Sequence, residues 1–237
     1  MIERGMIFNG EMVRAILDGR KTQTRRPVRF PVLDKNLGCE LAGNELAGEL
    51  SAGNYLNSAF GKPGHRIWVR ETWATLGNED GCCVDWEDNL CKGDERSAAR
   101  IYRASCEQRP GDYGLWSIPD DADWKPHTKD HKFEGAWRPS IHMPRWASRI
   151  LLEITSVSVE RLNAISEEDA RAEGIIDGGC LNCGEPEPCG CANPEPDATD
   201  AFAYLWQSIY GQENWNANPW VWVIEFKSIE GGDHATN

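Results

Sequence analysis

The octapeptide Gly19-Arg20-Lys21-Thr22-Gln23-Thr24-Arg25-Arg26 packs four cations and two hydroxyls into eight residues. Cationic side chains at this density can hold phosphate, and a hydroxyl relieved of its proton by a neighbouring base can attack a carbonyl. Thr22, Thr24 and Arg26 alternate with Gln23 and Arg25 as side chains do along a strand, until Pro27 removes a ladder donor. A second polar and basic cluster is formed by Ser140, His142, Arg145 and Arg149, just ahead of a strand-like run. It reads either as a wall of a binding cleft or as a satisfied histidine beside a solvated basic edge. Cys180, Cys183, Cys189 and Cys191 put four thiols within twelve residues, in Cys-x2-Cys and Cys-x-Cys pairs framed by Gly and Pro. That set fits a structural Zn²⁺ or a loop of thiols. Cys82, Cys83, Cys91 and Cys106 follow no ligand spacing, and His127 and His131 lie in polar sequence after Pro126, where a loop is expected.

At 237 residues and 40% hydrophobic content the chain can bury a sizeable core without disulfides. Nine cysteines, an odd number with two adjacent, suit a reducing compartment. No apolar run approaches the roughly 20 residues that span a bilayer, and the N-terminus lacks the apolar stretch of a secretory signal. A cytoplasmic protein with no membrane partner is expected. A net charge of −13 excludes a protein that coats nucleic acid by bulk charge. The distribution is polarised: residues 1–37 carry eight Lys/Arg against four Asp/Glu, and residues 160–213 carry two against twelve. A basic element set in an acidic chain can bind phosphate while the remainder limits non-specific association, or the acidity serves solubility alone.

The elements that must position these residues follow from periodicity. Asn9 caps a helix over 10–18, with Met12, Val13, Ile16 and Leu17 on one face and Gly19 as its stop. Residues 38–60 read as a loop or weak helix. Gly61-Lys62-Pro63-Gly64 turns into a strand over 66–73, which includes Arg70. Residues 74–137, with fourteen acids, form an insertion that holds a strand-like Arg100–Arg103. A central strand over 148–162 shifts its alternation after Thr155, as a bulge or kink would produce. Ser166 caps a short acidic helix ending at Gly174, residues 176–200 form a second insertion, and an amphipathic helix covers 201–210. The strand over 220–226 closes the fold, and residues 231–237 are expected to be a disordered tail.

This order of motifs resembles the ASCH family of PUA-like proteins, and within it the long versions found in prophages. The resemblance is carried by residues 16–25, by Lys62-Pro63-Gly64-His65-Arg66-Ile67-Trp68-Val69, by residues 138–149, by residues 165–174 and by Trp222-Val223-Ile224-Glu225-Phe226. It implies an α+β domain over 1–230, a PUA-like β-barrel flanked by short helices, with large loop insertions. It also implies recognition of RNA or a modified nucleoside. Some small members resemble amidohydrolases that remove an acyl group from N4 of cytidine with a lysine, a threonine and a glutamate, which fall here on Lys21, Thr24 and Glu173. Lys21 would be the base, Thr24 the nucleophile and Glu173 the acid, with no catalytic metal. Arg20, Thr22, Arg25, Arg26, Arg70, Ser140, His142 and Arg145 would line the substrate site.

This assignment makes geometric and electrostatic demands. A free lysine stays charged up to about pH 10.4, so Lys21 needs desolvation or repulsion, for which Arg20, Arg25 and Arg26 are at hand. Three-residue spacing on a regular strand sends Lys21 and Thr24 to opposite faces, so Lys21 must lie in the turn before the strand. Lys21 and Glu173 must also face each other across an open, wettable hollow. Two other readings stand beside it: a non-enzymatic module binding nucleic acid through 21–26, and a phage-related protein that contacts a phage or host protein through its acidic insertions.

Overall fold

The computed structural model describes residues 1–76, 82–87, 89–91, 95–105, 137–176 and 198–229. The elements in chain order are β1 (Glu3–Ile7), α1 (Gly10–Leu17), β2 (Gln23–Pro27), β3 (Val32–Leu33), β4 (Glu40–Leu41), α2 (Gly43–Ser51), β5 (Arg66–Arg70), β6 (Trp73–Thr75), β7 (Arg100–Tyr102), β8 (Leu151–Arg161), α3 (Glu167–Ala172), α4 (Ala198–Tyr210), α5 (Gln212–Asn216) and β9 (Trp220–Ile229). The fold is α+β, and no closed barrel is found among the described residues. No helix among them is long and apolar enough to cross a membrane. The chain divides into two compact units, one of Met1–Ile2, Ala15–Arg66 and Leu152–Ser228, the other of Glu3–Arg14, Ile67–Leu151 and the C-terminal residues from Ile229.

In the first unit β8, β9 and β2 lie side by side, and β2 runs antiparallel to β9 with Thr24 opposite Ile224. The polar alternation of β2 does not become an in–out alternation: Gln23, Thr24 and Arg25 are all buried. Helix α3 packs on β2, so the strand has no solvent face at these positions. Pro27 ends the strand, and Val28 N resumes the ladder by donating to Trp220 O at 2.9 Å.

Strand β8 runs unbroken through the point after Thr155 where a bulge or kink was expected, and the alternation does shift there. Its burial phase slips by one residue, with Leu152 and Ile154 buried before the slip and Val157 and Val159 after it. Residues 38–60, read as loop or weak helix, hold α2, anchored by buried Leu46 and Leu50. Two anchors four residues apart are a faint periodic signal, and the close approach of Trp220 Nε1, 2.3 Å from where a Cβ of Gly43 would stand, cannot be read from sequence at all.

Helix α3 begins as its residues dictate. Ser166 Oγ accepts from Asp169 N at 3.1 Å, and Asp169 Oδ2 accepts from Ser166 N at 3.4 Å, the reciprocal pair of a capping box. Glu167 in turn caps α4, accepting from Ala198 N at 3.0 Å and Thr199 N at 3.1 Å. The helix expected over 201–210 starts three residues earlier for that reason. Leu162, Ile165, Ala170, Phe202, Trp206, Val221 and Val223 form the core beneath these helices.

The second unit holds β1 beside β5 and the antiparallel pair β6–β7, with Trp73 opposite Tyr102. The single strand expected over 66–73 breaks at Glu71. Its carboxylate is buried, accepting from Arg149 Nε and Nη2 at 3.0 Å each, and burial pushes its pKa up against the pull of Arg149. The strand-like 100–103 segment is β7, and it shares a core with Ala74, Leu76 and Val84. The expected insertions over 74–137 and 176–200 and the tail over 231–237 lie largely or wholly outside the described residues.

Ser166→Ala should lower unfolding stability by about 1 kcal/mol through loss of the cap, while Ser166→Asp, which keeps an acceptor, should stay near wild type; urea denaturation monitored by tryptophan fluorescence reads the difference.

Candidate functional site

Three segments distant in sequence meet in the first unit: the turn at 20–22, strand β2 and the end of α3. Lys21 lies before β2, where convergence with Thr24 required it. Its N donates to Ala15 O at 2.9 Å, and it forms an isolated antiparallel bridge with Glu173. Thr22 then locks the turn, its N donating to Ala172 O and its O accepting from Phe226 N, both at 2.8 Å.

The turn lets Lys21 reach inward. Its Nζ donates to the main-chain O of Glu173 and to Glu173 Oε2, each at 2.7 Å, with the two side chains 0% and 3% exposed. The expectation that lysine and glutamate face each other is met, but not across an open hollow. They touch, and protein closes over them, because the bridge to Glu173 brings the backbones too near for a gap.

Arg25 extends the contact into a network. Its Nη1 donates to Glu173 Oε1 at 3.4 Å and closely to Gln23 Oε1; its Nε and Nη2 donate to Glu160 Oε1 at 3.2 and 2.6 Å. Its Nη2 also pairs with Asp169 Oδ2 at 3.3 Å, and Gln23 Nε2 donates to Asp169 Oδ1 at 3.1 Å. Asp169 therefore caps α3 and holds the arginine at once.

The electrostatics follow from burial. Lys21 titrates below the ordinary lysine value chiefly because burial disfavours its charge, which outweighs the attraction and hydrogen bond of Glu173; Arg26 and Arg25 add repulsion. Arg20 has no part in this, contrary to expectation, because its guanidinium is directed to Gly174 O at 3.0 Å and Asp18 Oδ2 at 2.9 Å on the surface. Burial pushes Asp169 up, but hydrogen bonds from Ser166 and Gln23 and the charge of Arg25 prevail and hold it below the usual carboxylate range. Thr24 is buried on β2. Gly174 makes the packing possible: its φ is +91°, and a Cβ there would stand 2.8 Å from Ala15 Cβ and 3.0 Å from Lys21 Cβ.

The other expected binding residues divide. Thr22 and Arg20 are exposed, Arg26 is half-buried, and Arg25 is committed to carboxylates rather than presented to a phosphate. Arg70, Ser140, His142 and Arg145 belong to the second unit. There Arg70 donates from Nε to Ser140 O at 3.1 Å and closely to Ile141 O, while Arg145 Nε donates to Glu3 Oε2 at 2.8 Å. His142 is exposed. Arg149 holds Glu71 and stacks 4.2 Å over the Tyr102 ring. Cys180, Cys183, Cys189 and Cys191 lie outside the described residues; among those described, no cluster of three metal donors occurs. Sequence reasoning missed Gln23, Glu160 and Asp169 as members of the network. Asp169 was legible only as one of the acids in the first turn of the helix that Ser166 caps, and nothing in the sequence ties Glu160 to Arg25.

Two outcomes follow. Lys21→Met removes one partner of a buried pair and should cost roughly 3–5 kcal/mol in urea unfolding. In the wild type, an unfolded chain keeps the Lys21 proton up to about pH 10.4 while the folded one releases it earlier, so this residue's contribution makes stability rise with pH across that interval. The slope should be absent in Lys21→Met when stability is compared across the alkaline range.

Comparison with family models, with curated proteins and with solved structures finds no match to this chain, so the site is read from its own residues.

Proposed function

We propose that this chain is an ASCH-type protein with a PUA-like fold that binds RNA or a modified nucleoside and hydrolyses the N4-acyl amide of acylated cytidine. The observation that carries the reading is the buried Lys21–Glu173 contact, with Thr24 three residues along the same segment. A hydroxyl nucleophile needs a neutral amine beside it, and an amide leaving group needs an acid. Movement of one proton along the 2.7 Å hydrogen bond from Lys21 Nζ to Glu173 Oε2 supplies both.

In this mechanism the Lys21 amine takes the proton of Thr24 Oγ1 as the oxygen attacks the acyl carbon. Glu173 protonates N4 as the C–N bond breaks, releasing cytidine and leaving an acyl-threonine ester. The Lys21 ammonium returns its proton to Glu173 along their hydrogen bond; the amine then deprotonates water, which cleaves the ester to a carboxylic acid while Glu173 protonates the departing Thr24 oxygen. Arg25 and Gln23 hold Glu173 and Asp169 in place throughout. Lys21 and Thr24 are 2% and 1% exposed, so substrate has to displace the groups that cover them.

The burial of Lys21 and Arg25 disfavours the reading in which residues 21–26 merely present cations to nucleic acid. A phage or host protein contacted through the acidic insertions is a separate reading, lodged in segments that lie largely outside the described residues. A structural zinc held by Cys180, Cys183, Cys189 and Cys191 would be independent of the chemistry.

Incubation with N4-acetylcytidine, followed by chromatographic assay of free cytidine, is the test. Release by wild type is expected, with at least about a thousandfold loss in Thr24→Ala and partial retention in Thr24→Ser. Absence of turnover in a folded wild-type protein would overturn the hydrolase reading.

A further inference from the structure

We infer that Cys83 and Cys91 form a thiol–disulfide exchange site, in which reaction with a small-molecule disulfide of the glutathione class closes a cross-strand disulfide in the second unit. The inference rests on register. Val84 and Leu90 form an isolated antiparallel bridge, Asp85 N donates to Asn89 O at 3.0 Å, and Cys91 N donates to Cys83 O at 2.9 Å. Counting outward from Val84 and Leu90, Cys83 and Cys91 stand directly opposite each other. Opposed residues of an antiparallel pair project to the same face, and their Cα atoms are about 5.5 Å apart when the main chains hydrogen-bond. That spacing falls inside the range a disulfide spans without backbone movement.

Both residues are thiols, and both are half-buried rather than sealed. Cys83 Sγ lies 3.7 Å from Thr75 Oγ1, and Cys91 Sγ donates to Asn89 O at 3.8 Å, both weak contacts. The hairpin itself is held in place: Val84 is buried, its N donates to Leu76 O at 3.2 Å and its O accepts from Ala99 N at 2.9 Å. One strand of the thiol pair is thus fixed in the core, which keeps the two sulfurs within reach. Cys82, exposed and next in sequence, projects to the opposite face of its strand and is not part of the pair.

The chemistry balances as two displacements. One cysteine thiolate attacks the small disulfide, forming a mixed disulfide and releasing one small thiol. The opposed cysteine thiolate then attacks the protein sulfur of that mixed disulfide, forming the Cys83–Cys91 bond and releasing the second small thiol. The two cysteines are oxidised, the small disulfide is reduced to two thiols, and each displaced thiolate takes up the proton lost by its attacker.

The full-length protein is incubated with oxidised glutathione at mildly alkaline pH, quenched by alkylation and mapped by mass spectrometry without reduction. A peptide linking Cys83 to Cys91 is expected as the main product in wild type and in Cys82→Ser. Cys83→Ser and Cys91→Ser should instead stop at the mixed disulfide, leaving one glutathionyl group on the remaining member of the pair. Linkage of either cysteine to any other cysteine, persistence of the mixed disulfide in wild type, or no modification of the pair would each overturn the assignment.

Discussion

A lysine ammonium or amine held 2.7 Å from a carboxylate, with both side chains shut away from water, sets the conditions for the rest of the first unit. Charge cannot be buried cheaply, so every element around this contact has to supply a partner or exclude a competitor. The turn after α1 delivers Lys21, the end of α3 delivers Glu173, and Gly174 leaves the space where the two chains cross. Arg25 then bridges to Glu173, Asp169 and Glu160, so no member of the network lacks a counter-charge. Counted formally, two cations face three carboxylates, and the one in surplus is met by partial exposure: Glu160 and Asp169 are each 32% exposed, so water shares their charge.

That arrangement separates two duties that the sequence presents together. The octapeptide reads as one cationic patch, yet its residues part company in three dimensions. Lys21 and Arg25 turn inward to carboxylates, whereas Arg20 and Thr22 stay at the surface. The direction each side chain takes depends on α3, a helix roughly 150 residues further along the chain, and no local pattern around residue 20 announces it. What was legible was the strand itself, its end at Pro27 and the need for Lys21 to precede it.

Elsewhere, legibility followed how local the controlling physics was. The Asn9 and Ser166 caps, the positive-φ glycines at 19 and 174 and the apolar alternation of β8 are set by neighbours within a few residues, and all were readable. Strand β1 was not anticipated: Glu3–Ile7 shows one buried residue in five and owes its place to β5. The break at Glu71 was equally invisible, because a buried glutamate in a tryptophan-rich run makes sense only once Arg149 is known to reach it. The opposition of Cys83 and Cys91 belongs to the same class, since their spacing becomes meaningful only after the register of Val84 and Leu90 is fixed.

The network could in principle serve stability alone, and magnitudes argue against that. Replacing a buried ion pair by apolar residues of similar volume is often neutral or favourable, so a core that needed only cohesion has no physical reason to retain five ionisable groups and a glutamine. Helix α3 is already anchored without Lys21, Arg25, Glu160 and Glu173, by the Ser166–Asp169 cap at one end and by Ala170 in the core. What the charged groups add is a lysine whose proton is loosened by burial and a carboxylate placed to receive it. Neither is required to join a six-residue helix to a strand. Both are what the proposed proton-moving site requires, and burial, which makes the network costly to fold, is the same condition that shifts Lys21 toward the amine.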